Sequence, residues 1–174
     1  MYKCVNPLMF DLQVLPCGKC YNCQMRKRSA WDLRLLAQSH VANDSVFVTL
    51  TYSNDNLVDV NKREIQLWIK KLRNLGLEFK YYAVAEYGER TSRPHYHVLL
   101  FIQDYSEKLP YATSLLDTWD KGIIDVANVT PASIHYVTKW HVHPKYSKDS
   151  PREAHGFHPA VKAYRRVVTT DIQF

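Results

Sequence analysis

The sequence predicts an α+β domain: a central, mainly antiparallel β-sheet with flanking helices and a small cysteine-rich arm at its N-terminus. Three observations lead there. Segments with the period-2 apolar alternation of half-buried strands interleave with segments of helical periodicity. Two of the strand segments, 79–88 and 95–103, are separated by little more than the turn-like "ERTSRP", a spacing that pairs neighbours antiparallel. All four cysteines fall within the first 23 residues, outside the segments that read as core.

Taken in order, "QMRKRSAWDLRLLAQSHVAN" (24–43) has helix-forming content, with Trp31, Leu35 and Leu36 on one side and Arg26, Lys27, Arg28 and Arg34 elsewhere. "SVFVTLTYS" (45–53) alternates and is β-branched, hence a strand. "NKREIQLWIKKLRNLG" (61–76) is an amphipathic helix, with Asn61 and Glu64 spaced as a capping box and Gly76 as its stop. "FKYYAVAEYG" and "HYHVLLFIQ" are the hairpin strands. A shorter helix around "YATSLLDTW" (111–119) leads to a fourth strand, "GIIDVANV" (122–129). Pro131 then opens a last helix, "PASIHYVTKWHVH", with Thr130 as N-cap. Beyond about residue 144 the chain is polar and punctuated by three prolines, which predicts irregular or peripheral structure. The expected organisation is an arm over 1–25, a main domain over 26–145 and a tail over 146–174.

Composition narrows the function classes. With 46% hydrophobic and 23% charged residues the chain can form an ordinary packed core. A net charge of +6 and a pI near 9.1 suit a polyanionic partner, nucleic acid first. Twelve tyrosines and four tryptophans supply stacking surface, although many serve as core. No run of about 18 apolar residues predicts a membrane span, and "MYKCVNPLMF" lacks the pattern of a secretory signal. Clustered rather than dispersed cysteines favour a reducing, cytoplasmic setting.

The stretch "RPHYHVLLF" carries the first chemical signal. Alternation sends His95 and His97 to the face of Leu99 and Phe101, where two imidazoles are costly as core filling. They are either satisfied surface or core histidines or two ligands of one metal ion. Glu86, the only acidic side chain in "YYAVAEYG", would lie across the hairpin as a third ligand, or else as a salt-bridged edge residue. Two histidines and a carboxylate with open positions suit Mn²⁺ or Mg²⁺, with substrate phosphate completing the sphere. A rival pair, His141 and His143, diverges by about 200° on a helix and reads as surface or DNA-facing.

On the last helix Tyr136 and Lys139 stand three residues apart on one face. A phenol with its free pKa near 10 is a poor nucleophile, and a neighbouring ammonium favours its phenolate. The bland alternative is one tyrosine among many and a solvated lysine. Cys17, Cys20 and Cys23 in "CGKCYNC", with Cys4, fit a structural Zn²⁺ that anchors the arm. An iron–sulfur cluster and free reduced thiols are the alternatives. Lys19, Arg26, Lys27 and Arg28 on or near the arm, together with Arg93, are candidate contacts to DNA phosphates, or a solvated face.

Four blocks occur together: "PCGKCYNCQMRKRSAWDLRL" (16–35), "VFVTLTY", "AEYGERTSRPHYHVLLF" and "GIIDVANVTPASIHYVTKW". In this order they resemble the HUH endonucleases of rolling-circle DNA systems, and most closely the replication initiation proteins of the Microviridae, the gokushovirus branch of small single-stranded-DNA phages. The resemblance implies an RRM-like palm, with residues 26–145 as an HUH-type nuclease domain. It implies a metal-dependent, site-specific nickase of single-stranded or cruciform origin DNA. His95, His97 and Glu86 would be its ligands, and Tyr136, helped by Lys139, its nucleophile. The enzyme would keep a 5′-phosphotyrosine, release a 3′-OH to the host replication machinery in the bacterial cytoplasm, and later rejoin the strand. The branch often carries a second tyrosine four residues on; here that place is Trp140, and Tyr146 with Lys148 is a poorly placed substitute. The chain is also short for the branch. A non-catalytic nucleic-acid-binding module with a structural zinc, and a metallohydrolase using bound water, are the competing readings.

Overall fold

Every second residue from Val46 to Tyr52 is buried, so the alternation of "VFVTLTY" divides one strand between two faces of a sheet. The computed structural model describes residues 3–88, 93–105, 115–139 and 168–172. Its elements run β1 (Leu8–Phe10), β2 (Gln13–Leu15), α1 (Tyr21–Val41), β3 (Asp44–Tyr52), α2 (Lys62–Asn74), β4 (Leu77–Tyr87), β5 (Pro94–Tyr105), β6 (Gly122–Asn128), α3 (Pro131–Thr138) and β7 (Val168–Thr170). Strands β6-β3-β5-β4-β7 form one five-stranded sheet in which every pairing is antiparallel; β1 and β2 form a separate hairpin.

Helices cover both faces of the sheet. On one, Val48 and Leu50 of β3 and Val98, Leu100 and Ile102 of β5 meet Ile65, Trp68, Ile69 and Leu72 of α2. On the other, Tyr82 and Val84 of β4 and Leu99 and Phe101 of β5 meet Trp31 and Leu35 of α1 and Ile134 and Val137 of α3. Helix α3 starts as its sequence predicts. Thr130 accepts from the Ser133 N–H at 3.1 Å, and the Ser133 hydroxyl accepts in return from the Thr130 N–H at 2.8 Å.

Several boundaries differ from the sequence reading. Helix α1 begins at Tyr21, so its first turn lies within the cysteine segment, and Cys20 is its N-cap. Asn61 caps α2 through the Arg63 N–H at 2.8 Å, but the box with Glu64 does not close. Glu64 pairs instead with Lys121, and the Asn61 N–H donates to the Tyr96 hydroxyl at 2.9 Å. Gly76 ends the helix with φ of 88°, a left-handed value that suits glycine. The tail, read as irregular or peripheral, returns at β7 to pair with β4. There Asp171 accepts from the Tyr81 N–H at 2.7 Å and pairs with Arg73 at 2.5 Å, while Ile172 is buried. Residues 111–114 of the short predicted helix, and Trp140, His141, His143, Tyr146 and Lys148, lie outside the described residues. Among the described residues no helix is long and apolar enough to cross a membrane.

Candidate active site

Register, rather than sequence proximity, assembles the site. Glu86 of β4 lies directly opposite His95 of β5, and Thr49 of β3 opposite His97. Because alternation puts Glu86, His95, His97 and Thr49 on the face covered by α1 and α3, their side chains meet beneath α3. The His95 and His97 Nε2 atoms lie 3.0 and 2.9 Å from Glu86 Oε1, and the Tyr136 hydroxyl donates to the same oxygen at 2.5 Å. Tyr136 stands edge-on to His97, with ring centroids 5.1 Å apart. The Lys139 ammonium lies over the Tyr136 ring, 3.6 Å from its centroid.

The outer nitrogens of the two imidazoles are held as well. His95 Nδ1 is 3.1 Å from the Arg93 carbonyl, which can only accept, so this nitrogen carries a proton. His97 Nδ1 is 3.1 Å from the Thr49 hydroxyl, and Phe47 stacks on the His97 ring at 5.4 Å. With protons on both Nδ1 atoms, neutral rings turn the lone pairs of Nε2 toward Glu86. Lone pairs facing a carboxylate repel unless a cation sits among them or the rings are protonated. Glu86 Oε2 is buried and has no hydrogen-bond partner, a costly arrangement for a carboxylate oxygen. Burial pushes the Glu86 carboxyl upward, but hydrogen bonds from His95, His97 and Tyr136 outweigh it and hold the group far below the usual carboxylate range. The three ligand atoms lie within 4.8 Å of one another, and an orphaned carboxylate oxygen beside two oriented imidazoles is a donor set that fits Mn²⁺ or Mg²⁺.

Thr49 and Phe47 escaped the sequence reading; only the β3–β5 pairing brings them to His97. Helix α3 is fastened by a contact that was also unforeseen. Asp32 of α1 accepts from the Thr138 hydroxyl and lies 3.2 Å from His135 Nδ1, so both neighbours of the Tyr136 turn are tied to α1.

The candidate phosphate contacts divide. Arg93 donates to the Tyr52 carbonyl at 2.6 Å and to the Asn54 side chain, and Arg28 to the His135 carbonyl at 3.1 Å. Both guanidinium groups thus tie elements of the fold together. Lys19, Arg26 and Lys27 are exposed around the base of the arm. There the four thiols converge, with their sulfurs within 4.8 Å of one another. Backbone N–H groups of Val5 and Cys23 lower Cys20 to about 6, those of Cys20 and Lys19 lower Cys17, and burial pushes Cys23 up to about 12.

Fold and site define a class: a five-stranded antiparallel sheet presenting a His-His-Glu cluster to a tyrosine on a covering helix. Residues 45–144 match the family model of replication-associated proteins of the ORF2 and gene 2 protein type, a segment that contains all five residues of the cluster, Glu86, His95, His97, Tyr136 and Lys139. The chain belongs to that family. It is 28% identical over 166 residues to replication-associated protein VP4 of Bdellovibrio phage phiMH2K, covering 83% of this chain and 52% of that protein. To replication-associated protein ORF4 of Chlamydia phage 1 it is 32% identical over 151 residues, covering 72% and 37%. To replication-associated protein ORF2 of Spiroplasma virus 4 it is 28% identical over 150 residues, covering 72% and 47%. The chain therefore spans about half or less of the length of these relatives. No solved structure matches it significantly.

Proposed function

We propose that the protein initiates replication of a small DNA genome by nicking single-stranded DNA at an origin, and rejoining it, through a covalent bond to Tyr136. The observation that carries this reading is the meeting of the Tyr136 hydroxyl with the His95–His97–Glu86 cluster at one carboxylate oxygen. A nucleophile and a phosphate-gripping site must share one scissile group, and here they are within a hydrogen bond of each other.

Bound Mn²⁺ or Mg²⁺, held by Glu86, His95 and His97, would polarise the phosphodiester and offset its charge. The hydrogen bond to Glu86 orients the phenol, and its proton leaves as the oxygen attacks phosphorus. The new Tyr136 O–P bond replaces the P–O3′ bond, the 3′ oxygen takes a proton, and the 5′-phosphate stays on the protein. The Lys139 ammonium, packed over the ring, favours the phenolate and the developing negative charge. Because bond energy is kept in the tyrosyl ester, a 3′-OH can reverse the step without ATP. Exposed Lys19, Arg26 and Lys27 would grip backbone phosphates, and the free 3′-OH would serve host polymerase in the bacterial cytoplasm.

The test uses end-labelled single-stranded origin DNA and Mn²⁺. Cleavage should leave a free 3′-OH on one fragment and protein on the other, and should stop on chelation. Continued cleavage by Tyr136→Phe would instead point to hydrolysis by bound water.

A further inference from the structure

The β1–β2 hairpin is built without a core. All six residues of its strands are exposed, among them Leu8, Met9, Phe10 and Val14, the last three at 65–71%. A two-stranded hairpin of this kind is at best marginally stable in water. Its turn adds to the difficulty, since Asp11 and Leu12 have φ of 44° and 63°, left-handed values unfavourable for a leucine. Something outside the hairpin must close it, and its base is where the cysteines gather. Cys4 precedes β1, Cys17 follows β2, and Cys20 and Cys23 stand three residues apart at the start of α1.

We infer that Cys4, Cys17, Cys20 and Cys23 bind one zinc ion as a tetrathiolate, and that this ion serves the hairpin in place of a core. A tetrahedral site with Zn–S bonds of about 2.3 Å holds its sulfurs about 3.8 Å apart. The Cys4 and Cys20 sulfurs are 3.9 Å apart, and all four lie within 4.8 Å of one another. The Cys17 N–H points at Cys4 Sγ and the Cys20 N–H at Cys17 Sγ, each at 3.3 Å, as thiolates carrying negative charge require. The first turn of α1 has no acidic residue, and its N-cap Cys20 makes no side-chain cap. An anionic thiolate cluster there supplies the charge that the helix N-terminus favours.

The rival chemistries fit less well. A disulfide needs sulfurs about 2.05 Å apart, and all four cysteines are free. A four-iron cluster binds each thiolate to a different iron and so holds the sulfurs further apart than a single ion does. This assignment is independent of the nicking chemistry, because it uses none of the residues of that site.

The decisive experiment measures metal in the full chain purified under reducing conditions. One zinc per chain should remain after dialysis against EDTA and be released as a mercurial titrates four thiols. His95→Ala/His97→Ala should keep that zinc, whereas Cys20→Ser should lose it. Cobalt(II) exchanged into the wild-type chain should give the thiolate charge-transfer and tetrahedral ligand-field bands of an S₄ site, which keeps the test sound if Cys20→Ser folds poorly. Removing the ion should speed proteolytic cleavage in residues 8–15 at least tenfold. Iron with acid-labile sulfide, cobalt spectra without thiolate bands, or zinc lost with the histidines and kept with Cys20→Ser would each overturn the assignment.

Discussion

Thr49→Val probes the outer support of the proposed metal site without touching a ligand or the nucleophile. Valine keeps the volume and β-branching of threonine, so β3 retains its pairing with β5 and β6. What is lost is the hydroxyl 3.1 Å from His97 Nδ1. His97 is only 8% exposed, so water does not readily replace it. A buried donor left without a partner costs about 1–3 kcal/mol. Without metal the ring can escape that cost by moving its proton to Nε2, which then donates to Glu86. Bound metal forbids the escape, since it needs the Nε2 lone pair. The penalty therefore appears in metal affinity, as a weakening of about 10–100-fold, or roughly 1.4–2.7 kcal/mol. Calorimetric titration with Mn²⁺ reads it directly. A Kd within threefold of wild type, in a variant of unchanged fold, would refute the role given to Thr49 and the tautomer argument with it.

Other perturbations follow from contacts already described. Replacing Lys19, Arg26 and Lys27 together by alanine should weaken binding to all single-stranded sequences alike and reduce the log–log salt slope by about 2, at roughly 0.7 per phosphate contact; an unchanged slope would place the DNA elsewhere. Asp32→Ala removes the acceptor shared by His135 and Thr138, and should cost about 1–3 kcal/mol and roughly 2–12 °C in Tm. Scanning calorimetry showing no loss would mean that α3 is held by its apolar face alone. Gly122→Ala should destabilise by about 1–3 kcal/mol in urea, because a Cβ there would run into the backbone of Thr51, Tyr52 and Ser53 across the β3–β6 pairing. An unchanged midpoint would show that the sheet edge yields easily.

The parts of the molecule legible in the sequence are those fixed by local periodicity. Period 2 placed His95 and His97 on one face with Leu99, and a lone acid in an apolar strand marked Glu86, because a hairpin leaves few registers to choose from. Spacing on one helix was enough to bring Tyr136 and Lys139 together. The support for the site was not legible, since Thr49 and Phe47 reach His97 only through a pairing of β3 with β5 that skips β4. Local pattern says nothing about strand order. The β1–β2 hairpin was missed for a different reason: "LMFDLQVL" contains neither the glycine nor the asparagine that usually marks a two-residue turn. Strand β7 is three residues in a polar tail, too short for any periodicity to show. Glu64 illustrates competition, as a capping-box spacing lost to an ion pair with Lys121 that comes from far along the chain.

The central claim is that the Tyr136 phenol and the His95–His97–Glu86 cluster act on one phosphate. Mass spectrometry of the protease-digested adduct between the protein and single-stranded origin DNA tests it most directly. The expected product is a nucleotide 5′-phosphate esterified to the peptide bearing Tyr136, formed only with divalent metal and absent from Tyr136→Phe and His97→Ala. An adduct on another residue, or one formed equally well after chelation, would contradict it.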